Sequence, residues 1–332
     1  IFIFPNPQNV MTIRVFILFI FISSIVSAQR HVIVDKEDSS PISYATISFG
    51  NGNGLFADDS GAFVFYKKWY KDIDSLYISA LGYKEKALGT KNLGAKIYLE
   101  KDVAELKEVF LTAEKKRKYK TKKVDSEIHN DYFKCWLPTV ESELAVYFPK
   151  PSDKSTKIAS VILPVKMEAS NRDSGRKQRF STLFKMQFYS KGEDGYPDKR
   201  LPYEDIIFEI TNEDKSNFEL NIEEYLVYIP KDGIFVTIQV LGYTDKDGKL
   251  EQTKKYSEVE TRKGIVKVPT TFRPLLPFTD KIEGYNTYTR RIFFKNRTWQ
   301  RFDPKYSENN NLIKIGHTNY GMGIKYHIYQ ED

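Results

Sequence analysis

The run ISYATISFGNGNGLFADDSGAFVFYKKWYKDIDSLYISALGY, Ile42–Tyr83, constrains the fold more than any other part of the chain. Ala45, Ile47 and Phe49 alternate with Tyr44, Thr46 and Ser48, the two-residue period of a strand that buries one face. Asn51-Gly52-Asn53-Gly54 then concentrates residues that tolerate positive φ, which dictates a turn. A brief strand through Leu55 and Phe56 leads to Asp58-Asp59-Ser60-Gly61, where Asp opens a turn through its side-chain oxygen and Gly supplies the left-handed position. Phe63 and Phe65 face one way with Val64 opposite, and Leu76, Ile78 and Ala80 repeat the alternation before Gly82 breaks it. The two aspartates beside a glycine lack the regular oxygen-ligand spacing of a calcium loop, so the turn is read as structural.

These residues carry a resemblance. Pro41 before the Ala45–Phe49 strand, Asp58-Asp59-Ser60-Gly61-Ala62-Phe63, Ile78-Ser79-Ala80-Leu81-Gly82-Tyr83 and the closing Leu106-Lys107-Glu108-Val109 resemble the carboxypeptidase regulatory-like domain. The resemblance spans 29–113 and implies a small transthyretin-like β-sandwich, common in exported bacterial proteins, with no peptidase activity of its own. Arg30-His31 stands where that family usually has a glycine, and Ala57 where it usually has a threonine.

Upstream, residues 1–10 precede the first methionine and read as an extension of the frame. Residues 11–28 read as a signal peptide: Arg14 gives the positive start, Val15–Ile22 with Ile25-Val26 the apolar core, and Val26-Ser27-Ala28 a cleavage site after Ala28. The apolar run is shorter than the roughly 20 residues a spanning helix requires, and no second one follows, so no transmembrane span is expected in the mature chain. The expected location is therefore outside the cytoplasm, in the periplasm, at the outer membrane or on the cell surface. Cys135 is the only cysteine, so export brought no disulfide framework, and its apolar neighbours read as those of a buried, inert thiol.

The net charge of +7 is concentrated. Lys115, Lys116, Arg117, Lys118, Lys120, Lys122 and Lys123 face only Glu114, leaving the rest of the mature chain near neutrality. Together with the export signal, this reads as a solvated linker over 114–124 rather than a nucleic-acid surface; attraction to an acidic envelope surface is the alternative. Residues 125–332 open with a short helix over Asp125–Phe133 and continue with about nine strand patterns, separated by turns such as Gly192-Glu193-Asp194-Gly195 and Lys231-Asp232-Gly233. The last two strands are expected over Leu312–Ile315 and Gly323–Tyr329. The expected fold class is all-β, a small transthyretin-like sandwich followed by a larger jelly-roll-like one. The segment Phe188–Leu201, followed by Pro230-Lys231-Asp232-Gly233-Ile234-Phe235-Val236, is similar to the sandwich that often follows the regulatory-like domain.

No nucleophile elbow, phosphate loop, dinucleotide motif or zinc-helix spacing occurs, so neither catalytic residues, a metal nor a cofactor is assigned. His31, His129, His317 and His327 form no pair at helical spacing, although His317 and His327 fall on late strands. The long polar stretch Tyr243–Thr289, with Pro269, Pro274 and Pro277, is expected to be irregular apart from a hairpin near Lys263-Gly264. Its Tyr256, Arg262, Phe272, Arg273, Phe278, Tyr285 and Tyr288 combine aromatic faces with cations and are the candidate binding residues for an envelope glycan or protein partner. The expected function is a non-catalytic binding or scaffold protein of the cell envelope. A hydrolase built on the larger sandwich is one alternative. Another is an accessory to TonB-dependent outer-membrane transport, since Leu106–Ala113 resembles the junction before such barrels. N-terminal sequencing of exported protein is expected to read from Gln29; a sequence beginning before Ala28 rejects the cleavage site.

Overall fold

A computed structural model describes residues 30–102, 118–167, 179–262, 264–307 and 309–330. The signal segment and its cleavage site, the closing Leu106–Ala113 motif and Glu114–Arg117 lie outside the described residues. The regular elements are overwhelmingly strands, as the alternating patterns dictate. Among the described residues no helix is long and apolar enough to cross a membrane.

The first seven strands are β1 (Arg30–Asp35), β2 (Thr46–Ser48), β3 (Gly54–Phe56), β4 (Ala62–Val64), β5 (Ser75–Ser79), β6 (Lys86–Gly89) and β7 (Lys96–Leu99). They form one sheet in the order β4-β1-β7 and another in the order β3-β2-β5-β6. Ile33, Ile47, Phe63, Leu76, Ile78 and Leu99 are fully buried in the core these sheets share. Gly61, at φ +71°, closes the Asp58 turn where an added Cβ would lie 2.7 Å from the Ile33 carbonyl oxygen. The Asp58 carboxylate oxygen accepts from the backbone N–H groups of Ser60 and Ala62, the structural role read from the sequence.

The remaining strands are β8 (Tyr119–Val124), β9 (Cys135–Trp136), β10 (Ser142–Phe148), β11 (Thr156–Pro164), β12 (Ser181–Lys191), β13 (Pro197–Arg200), β14 (Ile206–Thr211) and β15 (Asn217–Asn221). They are followed by β16 (Ile234–Tyr243), β17 (Tyr256–Thr261), β18 (Gly264–Pro269), β19 (Leu276–Thr279), β20 (Thr287–Arg291), β21 (Gln300–Arg301), β22 (Asn319–Tyr320) and β23 (Gly323–Tyr329). A large sheet runs β13-β12-β16-β10-β20-β21, with β14 also paired to β12, and a four-stranded sheet runs β15-β11-β23-β8. Leu144, Val146, Met186, Phe188, Val236 and Ile238 from the first join Ile158, Val161, Leu163 and Ile324 from the second in one continuous core. At roughly 25 cal/mol per Å² of apolar surface removed from water, this layer is the dominant stabilising term.

Several local expectations are corrected. The second half of the expected linker is strand β8, paired with β23 from Val124↔Ile324 to Tyr119↔Tyr329. Every β8 side chain is exposed, so the strand has no apolar face to betray it and is held by backbone pairing. Its lysines also suit a sheet edge, where charge discourages pairing with another chain. Asp125–Phe133 forms no α-helix; a single 3-10 turn spans Tyr132–Lys134, capped by Asp131. Leu312–Ile315 is not a strand, because Asn310 caps the single helical turn Asn311–Lys314 instead. Tyr243–Thr289 is largely ordered, containing the β17–β18 hairpin, β19 and the start of β20.

The two sandwiches are packed tightly together. Phe56 of the first lies in the core of the second, and Tyr256 of the second lies in the core of the first. The outer face of the β3-β2-β5-β6 sheet forms the seam. There Ser48 Oγ donates to the Phe293 carbonyl at 2.8 Å, Gly52 N–H donates to the same oxygen, and the Phe56 and Phe293 rings lie 5.5 Å apart. Gly54 makes the approach possible, since a Cβ there would sit 2.4 Å from Phe293 Cδ1 and 2.5 Å from the Ile47 carbonyl oxygen. Lys267 with Asp72 and Arg297 with Glu85 pin the rim. Gly54→Ala is therefore expected to destabilise the protein by about 2 kcal/mol or more through overpacking. Gly82→Ala adds a Cβ that meets nothing within 4 Å and is expected to cost only about 1 kcal/mol from its positive φ. Thermal unfolding checks the order; equal or reversed losses mean that the seam is not tightly packed.

Candidate functional site

A polar pocket of about 300 Å³ lies between the two sandwiches. Its floor is the face of the large sheet opposite the main core. Four residues from adjacent strands stand there in register: Arg290 opposite Glu143, Glu143 opposite Gln239, and Gln239 opposite Lys185. Directly opposed residues share a face, so the four form one polar row across β20, β10, β16 and β12. Gln187 and Tyr189 extend the row along β12 by the same two-residue period. The roof comes from the small sandwich. Thr46 and Ser79 are cross-strand partners on the outer face of its sheet, and Ser43 and Tyr44 complete the cover.

A hydrogen-bonded chain crosses the floor. Arg290 Nε donates to Glu143 Oε2 at 2.7 Å, and Arg290 Nη2 donates to the Tyr189 hydroxyl at 2.6 Å. That hydroxyl donates to Gln187 Oε1 at 3.1 Å, and Gln187 Nε2 donates to Asp205 Oδ1 at 2.7 Å. Asp205 also accepts from Arg200. The Arg290 guanidinium is further stacked over the rings of Tyr189 and Trp299, the latter at 4.5 Å. The Glu143 side chain is 1% exposed and that of Arg290 19%, so this ion pair is held away from water. Burial, with the negative charge of Glu143 beside it, pushes the Tyr189 hydroxyl well above its ordinary pKa and keeps it protonated as a donor.

Lys185 stands outside this chain. The residue is 4% exposed and lines the pocket. Its Nζ has no hydrogen-bond acceptor among the described residues and rests 5.3 Å from the centre of the Phe56 ring. Burial draws its pKa below the ordinary lysine value, with Asp205 and Glu143 opposing that shift and Arg200 and Arg290 reinforcing it. Three more polar atoms of the lining residues are buried without a partner: Glu143 Oε1, Gln239 Nε2 and Arg200 Nε. Such atoms cost about 1–3 kcal/mol each when left unsatisfied, and a cluster of them calls for a physical account. Tyr44, at the roof, holds φ +52°, a left-handed conformation that is rare for a residue of its size. Strained backbone of this kind concentrates at ligand sites.

The seven binding residues expected from Tyr243–Thr289 are not brought together as a surface. Tyr256, Phe272, Phe278 and Tyr288 are buried. Tyr256 packs on Tyr70, Phe272 on Tyr243, Phe278 on Trp136, and Tyr288 on Phe235. They are core because a sandwich of this size consumes aromatic area wherever a strand turns inward. Arg273 is half-buried, and only Arg262 and Tyr285 are exposed. His317 pairs edgewise with His129 at 6.0 Å rather than with His327, which bonds Thr121 and Glu223. Among the described residues no group of three metal-ligating side chains is arranged to hold an ion. Cys135 is buried and its thiol donates to the Asp131 carbonyl; burial pushes its pKa up to about 12, the inert state read from its neighbours.

None of the pocket residues was read from the sequence as a binding residue; Tyr44, Thr46 and Ser79 entered only as parts of strand and family patterns. The available signal was the alternation Lys185-Met186-Gln187-Phe188-Tyr189, which gives two faces of a strand but not what covers the polar one. Arg290→Met is expected to destabilise the fold by about 3–5 kcal/mol by leaving Glu143 buried and uncompensated. The double variant Glu143→Gln/Arg290→Met is expected to recover more than half of that loss in chemical denaturation; additive losses mean that the two side chains do not act as a pair. Comparison of the chain with family models, with curated proteins and with solved structures returned no match.

Proposed function

We propose that this chain is an exported, non-catalytic binding protein of the bacterial cell envelope that takes a small polar ligand in the pocket between its two sandwiches. One observation carries the reading: a buried, unpartnered lysine shares a 300 Å³ cavity with residues bearing unsatisfied Glu143 Oε1, Gln239 Nε2 and Arg200 Nε. That is the size and chemistry of a ligand pocket, and it occupies the kind of inter-domain position where such sites concentrate. The proposal keeps the binding class expected from the sequence and seats the site at the sandwich seam instead of in the Tyr243–Thr289 stretch.

The hydrolase alternative is less well supported by the same geometry. A general acid or base needs a carboxyl group free to exchange a proton with substrate. Of the three carboxyls that line the pocket, Glu143 is tied to Arg290 and Asp205 to Arg200 and Gln187; among the described residues Glu204 alone is left untied, where glycoside hydrolysis uses a pair of carboxyls. Export and the regulatory-like resemblance of the small sandwich support the envelope setting and belong to the same proposal.

Calorimetry of the chain from Gln29 against a panel of small envelope-derived sugars, sugar acids and peptides tests it. Ser79→Trp places an indole in the roof, opposite the floor, and is expected to abolish binding without loss of the folded state. Undiminished binding by folded Ser79→Trp protein places the site elsewhere. Turnover of any panel member overturns the non-catalytic reading.

A further inference from the structure

Resting on the reading of the pocket as a ligand site, we infer that its ligand is a small hydroxylated carboxylate, a sugar acid in size, whose anionic group is held by Lys185 Nζ. Charge pairing in the pocket points to it. Three of the four cations that line the pocket already face carboxylates: Arg290 pairs with Glu143, Arg200 with Asp205, and Arg297 with Glu85. Lys185 alone lacks such a partner among the described residues, and it is among the most deeply buried of them. A buried ammonium that makes no ion pair, and is attracted only at longer range by Asp205 and Glu143, is costly, and an anion entering the pocket lowers that cost while gaining a charge-assisted hydrogen bond.

The remaining unsatisfied atoms shape the rest of the ligand. Gln239 Nε2 and Arg200 Nε are donors, as is the pocket-lining Lys185 ammonium, whereas Glu143 Oε1 is an acceptor. The complementary molecule is rich in acceptors and offers at least one hydroxyl or amine hydrogen. A carboxylate beside a ring hydroxyl supplies both, and a cavity of about 300 Å³ holds one sugar ring with its hydration. A doubly charged phosphate fits less well, because one free cation under-neutralises it and the pocket's arginines are already engaged. Tyr44, in the roof, gives an apolar face against which a ring can lie.

The test is titration calorimetry of the chain from Gln29 with D-glucuronate and D-galacturonate, each beside its neutral sugar and its 6-phosphate. At least one uronate is expected to bind tenfold or more tighter than its neutral counterpart. Lys185→Met, nearly isosteric and apolar, is expected to weaken that binding by about 100-fold while raising the melting temperature, because it deletes a buried unpaired charge. A lysine with a purely structural role predicts the opposite change in melting temperature. Gln239→Leu, which keeps the sheet pairing, is expected to weaken uronate binding by about tenfold and serves if Lys185→Met does not fold. Equal affinity for uronate and neutral sugar, with folded Lys185→Met unimpaired, overturns the anion seat while leaving the pocket as a binding site. Tighter binding of the 6-phosphates overturns the carboxylate assignment. Silence of all uronates while other panel members bind in a Ser79→Trp-sensitive manner overturns the inference alone; silence of the entire panel overturns it together with the pocket reading.

Discussion

The structure depends on the contact between the outer face of a four-stranded sheet and the polar face of a larger one. Gly54 lets the small sheet approach until Phe293 lies against its backbone, and Ser48 and Gly52 fasten it by hydrogen bonds to a single carbonyl. Everything distinctive about the pocket follows from this approach. Without the cover, Arg290, Glu143, Gln239 and Lys185 would be an ordinary solvated strand face, where an ion pair contributes little. Beneath it they are desolvated, and each polar atom must find a partner or incur the cost of lacking one.

Most of them find one. The chain from Glu143 through Arg290, Tyr189, Gln187 and Asp205 to Arg200 alternates donor and acceptor along its length and pairs charge with charge at both ends. A network of this kind rigidifies the floor and fixes side chains that would otherwise sample several rotamers. Its incompleteness is localised. Lys185 and Gln239 face each other across β12 and β16 within the network's perimeter, yet neither the lysine Nζ nor the glutamine Nε2 finds an acceptor. Buried polar atoms without a partner also occur away from the pocket, at His31, Ser152, Thr237, Gln252, Tyr256 and Trp299, but at the cavity three of them fall on lining residues beside the unpaired Lys185. The left-handed backbone of Tyr44 in the roof points the same way, since such strain persists where surrounding structure holds it.

The fold was readable in the sequence to the extent that it rests on alternation and turns. Ala45, Ile47, Phe63, Leu76 and Ile78 lie inside the small sandwich as their period requires, and the Asp58–Gly61 turn is built as its residues dictate. The strand pattern over Gly323–Tyr329 coincides with an observed strand. What misled was side-chain chemistry without position. Lysines over Lys118–Lys123 read as a linker because charge dominates composition, whereas an edge strand needs only its backbone to pair. Tyr256, Phe272, Phe278 and Tyr288 read as a binding strip, although aromatic rings serve a core equally well.

By itself, then, the sequence determined that this chain is all-β, where several of its strands and tight turns fall and which residues of the small sandwich face inward, because those properties follow from local backbone preference and a period of two. Only the tertiary structure decided that the polar faces of β10, β12, β16 and β20 are roofed by another sheet rather than by water. The reason is physical: a strand with polar residues at every second position looks the same in sequence whether that face meets solvent or a second body. The difference lies in contacts such as Ser48 to Phe293, made between residues far apart in the chain, and it turns four unremarkable side chains into a buried, incompletely satisfied pocket.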